Sequence, residues 1–211
     1  MEKFDRILEE LKGIEQEAKG LVEERVEEFK NLGLSGTEID LFSELSFCVL
    51  TANWSASGGI KAQKEIGPIG LAELSLEELS YALSKRGHRF PKKRAEFIIE
   101  NRKLIGNLRE LLYLPLEEAR RFLVKEAKGI GWKEASHFLR NVGRLDVAIL
   151  DRHILNILFK EGVLEEIPKG WTERKYTSIE EIFKELSSKF RKMPGETDLY
   201  LWYLIKGKVE K

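Results

Sequence analysis

A chain of 211 residues can bury one sizeable core or two small ones, and 42% apolar with 34% charged residues describes a well-solvated globular protein. A single cysteine, Cys48, excludes an internal disulfide framework and any four-cysteine metal or cluster site. No stretch reaches the roughly 18 apolar residues of a membrane span, and the charged N-terminus lacks an apolar signal region, so a cytoplasmic protein is expected.

Phe4, Leu8, Leu11, Ile14, Ala18, Val22, Val26 and Phe29 recur at three- and four-residue steps. They predict one apolar stripe on an acidic helix or helix pair, stopped by Asn31-Leu32-Gly33 and Ser35-Gly36. A more apolar helix, buried on most sides, is expected over 38–52, where Cys48 reads as core. Ser75-Leu76-Glu77-Glu78 has the form of a capping box opening a helix to about 85. Gly87 to Pro91 is a loop, followed by a helix over about 92–105. Pro115 fits the first turn of a helix over 115–127, with Glu117 and Glu118 favourable near its N-terminus. Lys128-Gly129-Ile130-Gly131 breaks that helix, and another spans about 132–142.

Leu145 to Leu150 is short and apolar with no partner strand nearby, so it reads as an extended connector; Asp151 is then a good N-cap for a helix to about 160. Ser178 opens a further helix, and a last one runs over about 196–206. With no convincing strand alternation, repeat or low-complexity tract, the fold class is all-α. The zero net charge hides a separation: residues 1–84 hold 8 basic and 17 acidic side chains, residues 85–160 hold 18 and 9, and residues 161–211 hold 10 of each. The basic middle third suggests one polyanion-facing surface.

The most informative segment is 116–153: helix, Lys128-Gly129-Ile130-Gly131-Trp132-Lys133, helix, apolar connector, Asp151-Arg152-His153. Gly129 and Gly131 let the backbone turn tightly. The helix that starts just after them presents free N–H groups and a positive dipole end, a ready site for a DNA phosphate. Such a contact positions a duplex without reading its sequence.

Gly129-Ile130-Gly131-x-Lys133 followed 18 residues later by Asp151 resembles the helix-hairpin-helix DNA glycosylase superfamily. Leu50 to Ala56 resembles the stretch near the first buried helix of those enzymes. Gly87-His88-Arg89-Phe90 with Lys93 to Glu96, and the ending from Asp198 to Lys211, narrow the match to the type 2 8-oxoguanine DNA glycosylase/lyases. Endonuclease III-like and MutY-like relatives usually carry a four-cysteine iron–sulfur cluster, which one cysteine excludes.

The resemblance implies two helical lobes with an active-site cleft between them, 1–36 plus 152–211 forming one and 37–151 the other, the hairpin motif lying at about 116–142. It implies a monomer acting on double-stranded DNA that contains an oxidised guanine. Lys133 is the nucleophile: its amine attacks C1′ of the sugar and forms an imine, which acidifies C2′ and lets the 3′ phosphate leave. A free lysine amine is almost wholly protonated near neutral pH, so Lys128 and the helix dipole are expected to favour the neutral form. Asp151 stabilises positive charge developing on the sugar. On the same resemblance the damaged base leaves the stack, Asn53 is expected to fill the gap, and His88 and Arg89 are expected to touch the strand beside the lesion. Phe90 and Trp202 sandwich the flipped purine, and Lys211 reads it through a terminal carboxylate. His137 and His153 read as structural. No spacing of side chains suggests zinc; no cofactor is required, and the hairpin carbonyls permit a structural monovalent cation. Another oxidised base as substrate, a non-catalytic DNA-binding module and a helical protein scaffold remain as alternatives.

Overall fold

The computed structural model describes residues 3–211. It contains α1 (Asp5–Ser35), α2 (Glu38–Thr51), α3 (Ala56–Glu73), α4 (Leu76–Lys85), α5 (Pro91–Asn101), α6 (Leu116–Glu126), α7 (Trp132–Asn141), α8 (Arg152–Lys160), α9 (Glu173–Phe190) and α10 (Pro194–Lys206). Short 3-10 turns lie at Arg102–Leu104 and Glu110–Tyr113. No strand occurs among the described residues, so the all-α expectation holds, and no helix among them is long and apolar enough to cross a membrane.

Capping chemistry sets several of the boundaries. Thr37 and Asp40 close a reciprocal capping box on α2, and Ser75 and Glu78 close one on α4. Elsewhere the boundaries differ from the sequence expectation. α1 continues through Asn31-Leu32-Gly33; Gly33 is a packing residue there, because a Cβ would collide with the Val142 carbonyl just past α7. Pro115 stands just outside α6 as its cap rather than in its first turn. α5 ends at Asn101, and α9 opens at Glu173, where the Thr172 hydroxyl accepts from Lys175 N–H. α3 was not expected at all: its apolar spacing is interrupted by glycines, and it kinks at Gly67 (φ 73°) before Pro68.

Two hydrophobic cores form. One runs from Leu41 to Val147 and includes Phe42, Phe47, Leu83, Ile98, Leu123 and Phe138. The other joins α1, through Phe4 to Phe29, with residues from Leu145 to Leu201. The chain passes from the first to the second along 145–150, an extended stretch whose backbone needs partners it cannot find in itself. Tyr176 supplies two, donating through its hydroxyl to Ala148 O at 2.8 Å and accepting from Leu150 N at 3.1 Å. Glu180 Oε1 accepts from Ala148 N at 2.9 Å, and Gly195 N donates to Leu145 O at 2.9 Å. The same Glu180 oxygen receives Arg120 Nη2 at 2.7 Å, both side chains being wholly buried.

Removing one member of a buried ion pair leaves a desolvated charge. Glu180→Ala is therefore expected to lower stability by about 3–5 kcal/mol, read by urea denaturation, whereas an unaltered midpoint would mean that Arg120 finds another partner.

Candidate active site

The hairpin between α6 and α7 is held from below. Asn101 is buried and brackets Lys128, accepting from its N–H at 2.6 Å and donating to its carbonyl at 3.0 Å. Gly129 has φ 76°, and a Cβ there would meet Phe97 Cδ2 at 2.6 Å, so both the backbone and the space demand glycine. Gly131 caps α7, its N–H donating to Glu134 Oε2 at 3.3 Å. Lys133 follows in the first turn. Its Nζ lies 3.2 Å from Glu134 Oε1, so a carboxylate, not the expected neighbouring cation, is its closest charged partner; the cause is simply that Glu134 is drawn to the same helix start.

The pinned connector delivers Asp151. Its carboxylate Oδ1 accepts from Ile154 N at 2.9 Å and caps α8, as its position suggested. Lys133 and Asp151, from the two sides of the seam between the cores, line one cavity of about 450 Å³. Trp202 and Lys211 line it as well. A second depression, holding Asn53, Arg152, Pro168 and Lys169, adjoins it at Lys133 and Asp151. The two residues thus stand between two adjoining depressions, each partly open to solvent.

Asn53 lies just beyond the C-terminal end of α2, exposed, with φ 64°. Two side chains fix that end. His88 Nε2 is 3.0 Å from Leu50 O, and Arg94 Nη2 donates to Ala52 O at 2.5 Å. His88 Nδ1 accepts from Phe90 N–H at 3.0 Å, so Nε2 carries the ring proton. With both nitrogens engaged and only 5% of the residue exposed, His88 is turned inward and not toward a strand. It positions the loop, and burial, with the nearby Arg94 charge, holds its pKa below the ordinary range. Arg89 is exposed, its guanidinium 5.2 Å from the Phe90 ring centroid. The Phe90 side chain does not line the cavity, so it and Trp202 do not form a sandwich here; Phe90 projects from the 87–91 loop and is 45% exposed.

Several residues of the cavity escaped the sequence. Trp54 and the start of α3, Ser55 to Ser57, form one wall. His153 lies edge-on to Trp202 with centroids 5.3 Å apart. His137 meets Phe47 edge-on at 5.6 Å, and burial, with the Arg140, Lys133 and Lys211 charges, holds it well below the usual imidazole range. Asp198 is wholly buried at the wall; Oδ2 pairs with Arg140 Nη1, and Oδ1 has no hydrogen-bond partner. Burial pushes this carboxyl up to about 7 against the pull of Arg140. Only aromatic content near 202 and the spacing 198–202 hinted at this wall. No group of three or more possible metal-ligating side chains occurs among the described residues.

The family described as 8-oxoguanine DNA glycosylase matches residues 22–192. The 8-oxoguanine DNA glycosylase/AP lyase of Thermotoga petrophila is 59% identical over 208 residues, covering 99% of this chain and all of the relative. That of Methanocaldococcus jannaschii is 48% identical over 206 residues, 97% of each chain. Among solved structures, the 8-oxoguanine DNA glycosylase of Thermotoga maritima superposes with a TM-score of 0.96 at 59% identity, over 98% of this chain and 99% of that one. The Methanocaldococcus jannaschii glycosylase/lyase in complex with a 15mer DNA containing 8-oxoguanine superposes with a TM-score of 0.92 at 44% identity, over 97% and 99%.

The inward His88 has a pH signature. Because its folded pKa is depressed, the unfolded chain takes up the proton first as pH falls below about 6.5. Its contribution to stability is complete above that value and is lost as pH falls. In thermal melts at about pH 8, 6.5 and 5.5, His88→Gln is expected to lose less stability below pH 6.5 than the parent protein. Parallel curves would mean that the imidazole is free to ionise in the folded state.

Proposed function

The chain belongs to the 8-oxoguanine DNA glycosylase family, and from that premise we infer that it is a bifunctional base-excision repair enzyme, removing 8-oxoguanine from duplex DNA and then cleaving the strand at the abasic site. The observation that carries the assignment of roles is the meeting of Lys133 and Asp151 on the wall of a cavity that also holds Trp202 and Lys211.

The chemistry follows from those groups. The Lys133 amine, once released from Glu134 and deprotonated, attacks C1′ of the damaged nucleotide. The C1′–N9 bond breaks, its electron pair leaves with the base, and the base takes up a proton. Asp151 stabilises the positive charge that gathers on the sugar as that bond stretches. Opening of the sugar ring gives an imine between Lys133 and C1′. The imine withdraws electrons from C2′, which loses a proton; the C3′–O bond then breaks and the 3′ phosphate departs. Water hydrolyses the imine and frees Lys133.

The rest of the site gets the nucleotide there. The α7 amides that follow Gly129 and Gly131 take a backbone phosphate, and the groove with Asn53 takes the strand, Asn53 filling the gap left by the flipped base. Arg89 adds a phosphate contact. Trp202 gives the purine a stacking face, and Lys211 supplies hydrogen-bonding groups for the purine edge. The reading is of a monomer that needs no cofactor. The Lys128 and Gly131 carbonyls each already accept one hydrogen bond, from Asn101 and Ala135. Each keeps a second lone pair, which suits a structural monovalent cation and takes no part in the reaction.

Borohydride reduction traps an imine. A duplex with 8-oxoguanine opposite cytosine is expected to give a covalent adduct with the parent protein and none with Lys133→Gln, while an undamaged duplex gives none with either. Asp151→Asn is expected to slow base release by about 10²- to 10³-fold, the scale of losing one electrostatic stabiliser. An adduct that persists in Lys133→Gln would move the nucleophile elsewhere, and an adduct only with another lesion would change the substrate.

A further inference from the structure

We propose that Glu44, seated with Gln63 and Phe47 as a socket for the Lys211 side chain, is a positioning residue that sets base recognition by docking the 207–211 segment as a wall of the cavity. This rests on the reading that the cavity receives the flipped base.

Glu44 is an anomaly in its own helix. Leu41, Phe42, Leu45, Phe47 and Cys48 around it are all fully buried, and Glu44 itself is 3% exposed. A carboxylate at such a place is strongly disfavoured unless it is paired and hydrogen-bonded. Among the described residues one cation reaches it: Lys211 Nζ, 2.7 Å from Oε2, comes from the far end of the sequence. Arg140, the other buried cation nearby, is committed to Asp198.

The surroundings hold this carboxylate in one orientation. Asn141 Nδ2 donates to Glu44 Oε1 at 2.6 Å. Gln63 Nε2 donates to Ser43 O at 3.0 Å, to Ser43 Oγ at 3.1 Å and to Glu44 Oε2 at 3.1 Å. That fixes the amide so that its Oε1 faces Lys211 and accepts from Nζ at 2.5 Å. The Phe47 ring completes the socket, with Nζ 4.5 Å from its centroid. Two acceptors and an aromatic face, all from α2 and α3, thus converge on one ammonium.

The consequence lies in the tail. Helix α10 ends at Lys206 and belongs to the core built with α1 and α9, whereas the socket belongs to the other core. Residues 207–210 cross between them without regular structure. Lys208, Glu210 and Lys211 line the cavity that Lys133 and Asp151 share. Lys211 also lines a third cavity, with Glu44, Gln63 and Asn141, and so stands between the two. Val209 packs on the core built with α1 and α9, and His137 bonds to the Lys211 backbone; the socket adds an ionic anchor on the α2–α3 side of the cleft, and without it the base would meet a less closely placed wall while the reacting groups stayed put.

The test compares two activities of the same protein, release of 8-oxoguanine from a duplex and cleavage at a preformed abasic site, where there is no base to recognise. Glu44→Gln keeps an acceptor for Asn141 and removes the charge. In this variant the ratio of base release to abasic-site cleavage is expected to fall at least about tenfold, mostly through KM, with Glu44→Asp recovering part of it. Lys211→Met is expected to lower the ratio similarly, and the double variant no further than the worse single one. Thermal melts identify a variant that fails to fold, and Glu44→Met, which buries no charge, then takes its place. Equal loss of both activities would make Glu44 a structural residue only, and an unchanged ratio would leave the socket without a role; either overturns the proposal. A parent protein that cleaves abasic sites but releases no 8-oxoguanine would instead overturn the reading of the cavity, and this proposal with it.

Discussion

Burial of charge across the seam between the two cores is the constraint on which the site depends. A charged side chain persists in a dry interior only where an opposite charge and further hydrogen bonds meet it. Three such pairs occupy the seam here. Arg120 on α6 meets Glu180 on α9, and Glu180 also holds the connector that ends at Asp151. Arg140 on α7 meets Asp198 on α10, tying the helix of Lys133 to the helix of Trp202. Glu44 on α2 meets Lys211 beyond α10. Each pair joins parts of the chain that are remote in sequence, and each sits beside a different component of the cavity. The apolar cores make two lobes; the charges decide how the lobes face each other.

That arrangement explains why Lys133 and Asp151 stand on backbone that is so fully partnered. Asp151 follows a stretch with no ladder of its own, yet the carbonyl of Ala148 and the amides of Ala148 and Leu150 are satisfied by side chains from α9. Lys133 follows two glycines that the Asn101 bracket and Phe97 hold in place. The α2 terminus beside Asn53 is closed by His88 and Arg94. Positioning by second neighbours of this kind is what chemistry at a single sugar carbon needs, since a small displacement of the reacting atoms is costly.

The parts legible in the sequence were those governed by local rules. Gly129, Gly131 and Asp151 were readable because tight turns and helix caps are decided within a few residues. The all-helical class was readable from spacing alone. Helix α3 was not, because its glycines and Pro68 argue against a helix locally, and only packing against α2, where Gly59, Ala62 and Leu71 are buried, overrides them. Gly33 looked like a terminator and is a point of close approach to Val142, a partner over a hundred positions away. His88 looked like a strand contact for the same reason: its binding partner, Leu50 O, is invisible until the fold brings it near. The roles of Asp198, Arg140 and Glu44 depend wholly on such meetings, so no short pattern could have announced them.

The charge distribution along the chain acquires a mechanical meaning once the fold is known. The acidic residues of α1 lie with the core built from the chain ends, whereas the other core joins the acidic 37–84 stretch to the basic 85–151 stretch and the hairpin, so that residues 37–151 hold 18 basic and 16 acidic side chains and the remaining residues 18 and 20. A body with equal charges of both signs feels little net pull toward a polyanion, but a separated pair of charges feels a torque in the field around it. Within a screening length of about 10 Å at moderate salt, a nearby polyanion therefore meets local groups of charge and not the near-zero sum of either lobe.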